Sequence, residues 1–478
     1  VDTNNLKQPP SLRIFFATEM WERYGFYVIQ TLLALYLTQH FEWEDRPIYD
    51  LVASFTAITY LSPIIGGFIA DHLLGQKRSI LAGILFLFVS YGLLTIVASE
   101  TALIMALTGI AVGTGLLKPN ISSLLGNEYP AHSPLRENGF TIFYLGITLG
   151  IILGTTLPSQ LNYWFGWSIS FFSAAFGLII AFVVFVFGIQ YYRIADYRIH
   201  HYHPIKILKA LGLITALWFT AFNILAYPRF ANILFGLVVI ISIAYMVKTV
   251  KSEPKEQARK TLVIGLLCII SIMFWAFYFQ MFLSLTLFLA RAVNPCFLGM
   301  SFPPPYYVAI QSLGMLIFGY ILTRKPSKID TFNQRFSVGD KFFLAMIFML
   351  IAYTLITRLC YSSTDAALLS PLWFMPAYLL IAIAELYLSP VGLAAITTLA
   401  NRAKVSTMMG IFFVSLGLGG FLSGKLANLT AVVNPSKITT LAFKLHYAKT
   451  FGFLLMILII CTILCFILNR FITRLLRS

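Results

Sequence analysis

The sequence predicts an all-α polytopic membrane protein built as two six-helix bundles with an inserted helix pair, and three observations carry that reading. The first is composition. Only 11% of the 478 residues are charged, whereas 59% are hydrophobic and 15% aromatic, against about 25% charged residues in an average soluble chain. With 18 acids and 34 bases, the chain cannot cover the several domain surfaces that a soluble protein of this length would present to water. It is also far too apolar to stay disordered. The second observation is the recurrence of apolar stretches long enough to span a bilayer as helices. The third is the grouping of the bases into short clusters between those stretches.

The predicted spans lie near 13–38, 50–71, 79–97, 102–125, 139–161, 167–189, 206–226, 230–247, 262–289, 305–323, 341–357, 371–396, 407–427 and 450–469. An even number of spans puts both termini on one side. Alternate loops then hold Lys77 and Arg78; Arg136; Arg193, Arg198, Lys206 and Lys209; Lys248 to Lys260; Arg324, Lys325, Lys328, Arg335 and Lys341; and Arg402 and Lys404. Lys7, Arg13, Arg470, Arg474 and Arg477 lie at the ends of the chain on that same side, and Glu42, Glu44, Asp45 and Glu100 on the other. Bases accumulate on the cytoplasmic side of membrane proteins, so both termini are expected in the cytoplasm.

The net charge of +16 is therefore a topology signal, and no nucleic-acid partner is expected. The polar stretch after residue 247 divides the spans into eight and six. With 206–226 and 230–247 as an insertion, the organisation becomes a six-helix bundle over 1–192, a linker with two extra helices over 193–260, and a second bundle over 261–478. Bundles of equal size suggest a transporter made of repeats, with its site near the midplane. The loop from Gly66 to Asp71, followed by Gly75 and Arg78, and the later one from Gly319 to Lys325 support the repeat. Asp71 is placed to meet a helix N-terminus or the nearby bases.

Other classes find little support. The five cysteines show no CxxC pair or metal spacing, which argues against a disulfide framework or zinc site. His200, His201 and His203 sit in a basic loop, and no nucleophile stands beside a base, so an enzyme is not expected. No filter-like repeated loop suggests a channel. Residues 1–10 show no cleavable signal pattern.

Few ionisable residues remain at membrane depth: Glu19, Glu22 and Arg23 in the first span, Lys118 in the fourth and Glu385 in 371–396. Each costs roughly 2.5–3.5 kcal/mol at the centre of a span unless it meets a partner or a wet cavity, so each is a candidate site residue. Glu19, Glu22 and Arg23 follow i, i+3, i+4 spacing on one face. They could form a self-neutralising packing patch, yet two acids and one base leave a negative charge unmatched. Such an acid can hold a proton near neutral pH, as a relay requires. Lys118 lies between Gly113-Thr114-Gly115 and Pro119-Asn120. Snorkelling to the interface is the alternative for it, and a structural pair with a base is the alternative for Glu385. Together these groups suit a substrate with two charged ends: Glu385 for an amine, Arg23 and Lys118 for a carboxylate.

At these residues the chain resembles the proton-dependent oligopeptide transporters, a branch of the major facilitator superfamily. Glu19-Met20-Trp21-Glu22-Arg23-Tyr24 resembles the ExxER-aromatic motif of the first span, and Gly113 to Asn120 resembles the GxGxxKPN of the fourth. Gly139 to Tyr144 with Gly146, Phe274-Trp275-Ala276 with Gln280, Ser284 and Arg291, and Glu385 to Gly392 are similar to the motifs of spans 5, 7 and 10. The matches run in order from about residue 13 to 425, and the bacterial members carry an extra helix pair.

The resemblance implies the major-facilitator fold and proton-coupled import of di- and tripeptides or peptide-like zwitterions by alternating access. Glu19, Glu22, Arg23 and Lys118 would serve proton coupling. Arg23, Tyr27, Tyr60, Lys118, Thr148, Trp275 and Glu385 would line the substrate pocket. No cofactor is implied beyond the coupling proton, no metal site, and no partners beyond substrate, protons and lipid; a monomer is expected. The sequence departs from the family at two positions together. A span-1 arginine is replaced by Gln30 and a span-7 glutamate by Phe279. In the family these close the extracellular side as a salt bridge, so closure here needs other contacts. Thr148 replaces an asparagine, Phe26 replaces a tyrosine, and an Asn-Pro of span 8 gives way to residues around Phe302-Pro303-Pro304-Pro305. These changes leave fewer hydrogen bonds for a peptide backbone. The alternatives on the same scaffold are a transporter of another solute (a drug, nitrate or a metabolite) and a non-transporting sensor.

Overall fold

The computed structural model describes residues 7–130, 133, 135–196, 204–324, 337–362, 367–401, 404–433, 435 and 438–477. His200, His201, His203, Arg198, Lys325, Lys328, Arg335 and Arg402 lie outside the described residues. The helices are α1 Leu12–Gln39, α2 Asp45–Ile69, α3 Gln76–Thr95, α4 Glu100–Asn127, α5 Leu135–Phe165, α6 Trp167–Tyr191, α7 Pro204–Ala226, α8 Pro228–Ser252, α9 Lys255–Tyr278, α10 Ser284–Ala292, α11 Pro305–Arg324, α12 Val338–Ser362, α13 Met375–Leu399, α14 Val405–Ala427 and α15 Thr440–Arg477. The protein is all-α and polytopic. Twelve described helical stretches are long and apolar enough to cross a membrane. The charged α1 and the shorter α11 complete the set that the hydropathy pattern predicts.

By contact the chain forms two compact units, Val1–Leu32 with Ile58–Tyr227 and Leu33–Ala57 with Pro228–Ser478. In the first unit, small residues let helix backbones meet. A Cβ on Gly83 would lie 2.8 Å from Gly113 O, which sets the contact of α3 with α4. α7 packs on α4 through Val112, Leu116, Ala210, Ile214 and Leu217, joined by Ile69 and Leu73. α2 ends in a wide turn over Ala70–Leu74, and Gly75 takes φ 83° to begin α3. The N-terminus of α3 is held by Asp196, which accepts from Gln76 N at 3.2 Å and Lys77 N at 3.1 Å. Asp196 therefore meets the partial positive charge of this helix end.

In the second unit, α9 packs on α14, where Gly419 admits the Cβ of Trp275 and Ser415 Oγ donates to Ser271 Oγ at 2.9 Å. α8 lies against α9 and α14 through Met246 beside Gly265 and Phe235 stacked on Phe421. Little of its apolar stretch is buried, so most of its surface is left for lipid. The predicted span 262–289 is one span but not one helix. α9 ends at Tyr278, a 3₁₀ turn covers Phe279–Phe282, and α10 restarts at Ser284. No proline or glycine signals this break. Gln280 bridges it: its Nε2 donates to Ala276 O at 3.1 Å and Ser423 O at 2.8 Å, and its Oε1 accepts from Ser284 Oγ at 2.6 Å. Interrupted helices are tolerated at membrane depth only with such internal satisfaction. One short antiparallel hairpin, Cys296–Phe297 with Met300–Ser301, turns at Leu298 and Gly299, both with positive φ.

Candidate functional site

The site residues of the first unit gather on α1, α2, α4 and α5. α1 approaches α5 along a stripe of glycines. Gly146 faces Phe16, Gly150 faces the Met20 carbonyl and Arg23 Cβ, and Gly154 faces the Tyr24 carbonyl. A side chain on Gly150 would displace the segment that carries Glu19, Glu22 and Arg23. The i, i+4, i+8 spacing of these glycines is a packing signal of membrane helices, and sequence reasoning passed over it in favour of the charged motif.

Glu19, Glu22 and Arg23 are all buried. Arg23 Nη2 donates to Glu22 Oε1 at 2.6 Å and Nε to Glu22 Oε2 at 2.5 Å, a bidentate pair. The same Nε stands 3.4 Å from Glu19 Oε1. The guanidinium also lies 4.9 Å from the Phe26 ring centroid. The pairing is unequal: Glu22 takes the arginine fork, while Glu19 Oε2 is buried without a hydrogen-bond partner. A buried carboxylate oxygen with no donor is costly as a charge. A proton on that oxygen removes the cost.

Lys118 is half-buried. Its Nζ sits 5.0 Å from the Tyr60 ring centroid, a cation–π contact. Helix α4 is fixed here by Ser62 Oγ, which donates to Ala111 O at 2.8 Å, and by Asn120 Nδ2, which donates to Leu116 O at 2.6 Å and Gly66 O at 3.3 Å. Gly66 faces the Gly115 carbonyl, and Gly115 faces Ser62. No carboxylate reaches contact distance of Lys118 among the described residues. The lysine is thus held by an aromatic face, with its charge left for another partner. Tyr27 is half-buried and packs edge-on to Phe26. Thr148 is half-buried too, but its hydroxyl donates to Tyr144 O of its own helix at 3.1 Å.

Within the second unit, Glu385 on α13 accepts from Gln311 Nε2 at 2.7 Å and from the Tyr278 hydroxyl. Its partners here are neutral, so the alternative of a structural pair with a base finds no support at this residue. Trp275 is buried and its indole Nε1 has no hydrogen-bond partner. Tyr278 lies edge-on to it at 4.7 Å and Phe279 stacks on it at 5.5 Å. Phe279 thereby fills, as a packed aromatic, the position to which the resemblance assigns a glutamate. Sequence reasoning missed Gln311 and Tyr278, polar groups on apolar helices that only tertiary packing aims at Glu385.

Residues 77–441 match the family model described as the POT family. The chain is 30% identical over 444 residues to dipeptide and tripeptide permease A of Klebsiella pneumoniae (strain 342), an alignment covering 92% of this chain and 87% of that one. It is 29% identical over 461 residues to the protein of the same name from Escherichia coli (strain K12), covering 94% and 90%. Among solved structures, a mutant of the peptide transporter POT in complex with alafosfalin is 25% identical, covers 98% of this chain and 96% of that one, and superposes with a TM-score of 0.82. A POT family transporter in complex with 5-aminolevulinic acid has the same fold, with a TM-score of 0.83 at 21% identity and coverage of 98% of both chains. These relatives are transporters, not enzymes.

Proposed function

The chain belongs to the POT family, and from that premise we propose that it is a proton-coupled symporter that imports dipeptides, tripeptides or peptide-like zwitterions by alternating access. The observation that carries this reading is the unequal pairing in α1. Glu22 takes Arg23, while Glu19 is left with an unsatisfied buried oxygen that a proton completes. Proton binding there and carboxylate binding at Arg23 and Lys118 draw on the same local charge balance, and coupling needs such a link. Glu385, held by neutral donors, keeps its charge for a substrate ammonium. Trp275 offers its free N–H, and Tyr27 and Tyr60 offer aromatic walls.

A monomer in a bacterial inner membrane, with both termini cytoplasmic, completes the proposal. The excess of basic residues in the loops of one side supports the orientation. The name shared by the curated relatives supports di- and tripeptides as cargo. A second reading, a smaller peptide-like zwitterion, is favoured by Thr148, whose hydroxyl is spent on its own helix. The test is uptake of labelled dipeptides, tripeptides and amino-acid-like zwitterions into proteoliposomes under an imposed inward proton gradient. Gradient-driven accumulation of dipeptides is expected. Uptake no faster than into protein-free liposomes across the whole panel would overturn the assignment.

A further inference from the structure

Two acids near the start of α2 have partners that the sequence did not pair. Arg291 of α10 donates from Nη2 to Asp45 Oδ1 at 2.6 Å and from Nη1 to Asp45 Oδ2 at 2.8 Å. The same Nη1 donates to the Tyr447 hydroxyl at 2.9 Å, and Val432 N donates to Asp45 Oδ2 at 2.9 Å. The side chains of Arg291 and Asp45 are 9% and 0% exposed, and the Phe443 ring covers the guanidinium at 5.3 Å. One turn further along α2, Asp50 accepts from Lys425 Nζ at 3.0 Å and Asn428 Nδ2 at 3.1 Å, in a wetter setting. Between these ion pairs the helices meet through small groups. A Cβ on Gly424 would lie 2.9 Å from Tyr49 O, and one on Gly420 3.1 Å from Thr56 Cγ2.

All these residues belong to the second unit, although α1 and α2 continue into the first; the division falls after Leu32 and after Ala57. On the transport reading above, on which this inference rests, residues 33–57 form the extracellular ends of the first two spans. We propose that Asp45, Arg291 and Tyr447 are the extracellular latch of this transporter, doing the work of the charge pair replaced by Gln30 and Phe279.

The chemistry suits a latch that opens. A buried ion pair is no more stable than a well-packed apolar contact, because each charge gives up its hydration on closure. The same charges regain water when the vestibule opens, which lowers the cost of separation that an apolar plug would carry. The glycine-lined face of α14 is smooth and parts without freeing interlocked side chains.

The test is the labelling rate of a cysteine placed behind the latch, Thr56→Cys, in a chain whose five native cysteines are replaced by alanine. Thr56 is buried, and its hydroxyl donates to Val52 O of its own helix at 2.8 Å. A membrane-impermeant maleimide is added to intact spheroplasts without substrate. The latch predicts slow labelling in the parent. Asp45→Asn and Arg291→Gln should each raise the rate by at least about tenfold, equivalent to about 1.4 kcal/mol. Tyr447→Phe, which removes one hydroxyl and threatens folding least, should raise it by a smaller factor. Exchanging the charges, Asp45→Arg with Arg291→Asp, should bring the rate back toward the parent. Unchanged labelling in Tyr447→Phe and in whichever charge variants elute as folded monodisperse protein would overturn the latch. The assay needs no substrate, so a failed uptake panel would overturn the peptide assignment and leave the latch standing.

Discussion

Two buried clusters of charge in this protein are built to opposite standards. At Asp45 and Arg291 every contact is doubled: both carboxylate oxygens meet the arginine fork, a backbone N–H and a tyrosine hydroxyl add two more bonds, and an aromatic ring covers the cation. At Glu19, Glu22 and Arg23 one arginine serves two acids, and one carboxylate oxygen has nothing. Nearby Lys118 faces a ring instead of a carboxylate. The first arrangement holds a shape. The second leaves places for a proton and an anion, at a cost in stability that a merely structural cluster would not carry.

The comparison is sharpest where a charge is removed. Arg291→Gln strands Asp45 in a buried site, so it should destabilise the protein by about 3–5 kcal/mol, read as a large fall in the melting temperature of detergent-solubilised protein. A melting temperature equal to the parent's would break the contrast. Lys118→Ala should do the reverse. With no carboxylate left unpaired, its melting temperature should match the parent's. Proton-driven uptake should drop by about 100-fold, within the roughly 2–5 kcal/mol that losing a buried charged contact costs. Undiminished uptake would show that the lysine only snorkels.

A smaller effect should follow from Thr148→Asn. It replaces a hydroxyl committed to Tyr144 O with an amide that both donates and accepts. One added hydrogen bond of about 0.5–1.5 kcal/mol should lower the dipeptide concentration for half-maximal uptake by a few fold. It should leave small zwitterions unaffected. A change confined to the small zwitterions would reverse the roles assigned here.

Much of this was legible in the sequence because lipid imposes simple rules. Hydropathy located the spans, and the scarcity of charge singled out Glu19, Glu22, Arg23, Lys118 and Glu385. The residues that stayed hidden depend on three-dimensional neighbours. Asp45 looked like an ordinary loop acid at the start of α2, and nothing in its local sequence pairs it with Arg291, far along the chain. Asp196 caps α3 from beyond α6, a partner that no local sequence signal announces. The break after Tyr278 carries no proline or glycine, because Gln280 and Ser284 support it by side-chain bonds. Gln311 beside Glu385 is of the same kind. In each case the sequence shows a polar residue without its direction, and packing supplies the direction.

The central claim, that Glu19 is left incomplete so that it can carry the proton, is tested most directly by Glu19→Gln in proteoliposomes. Glutamine keeps the shape and cannot ionise. The account predicts that an inward proton gradient no longer drives dipeptide accumulation, while counterflow exchange of dipeptide continues and the melting temperature does not fall. A Glu19→Gln protein that still accumulates dipeptide in response to the gradient would contradict it.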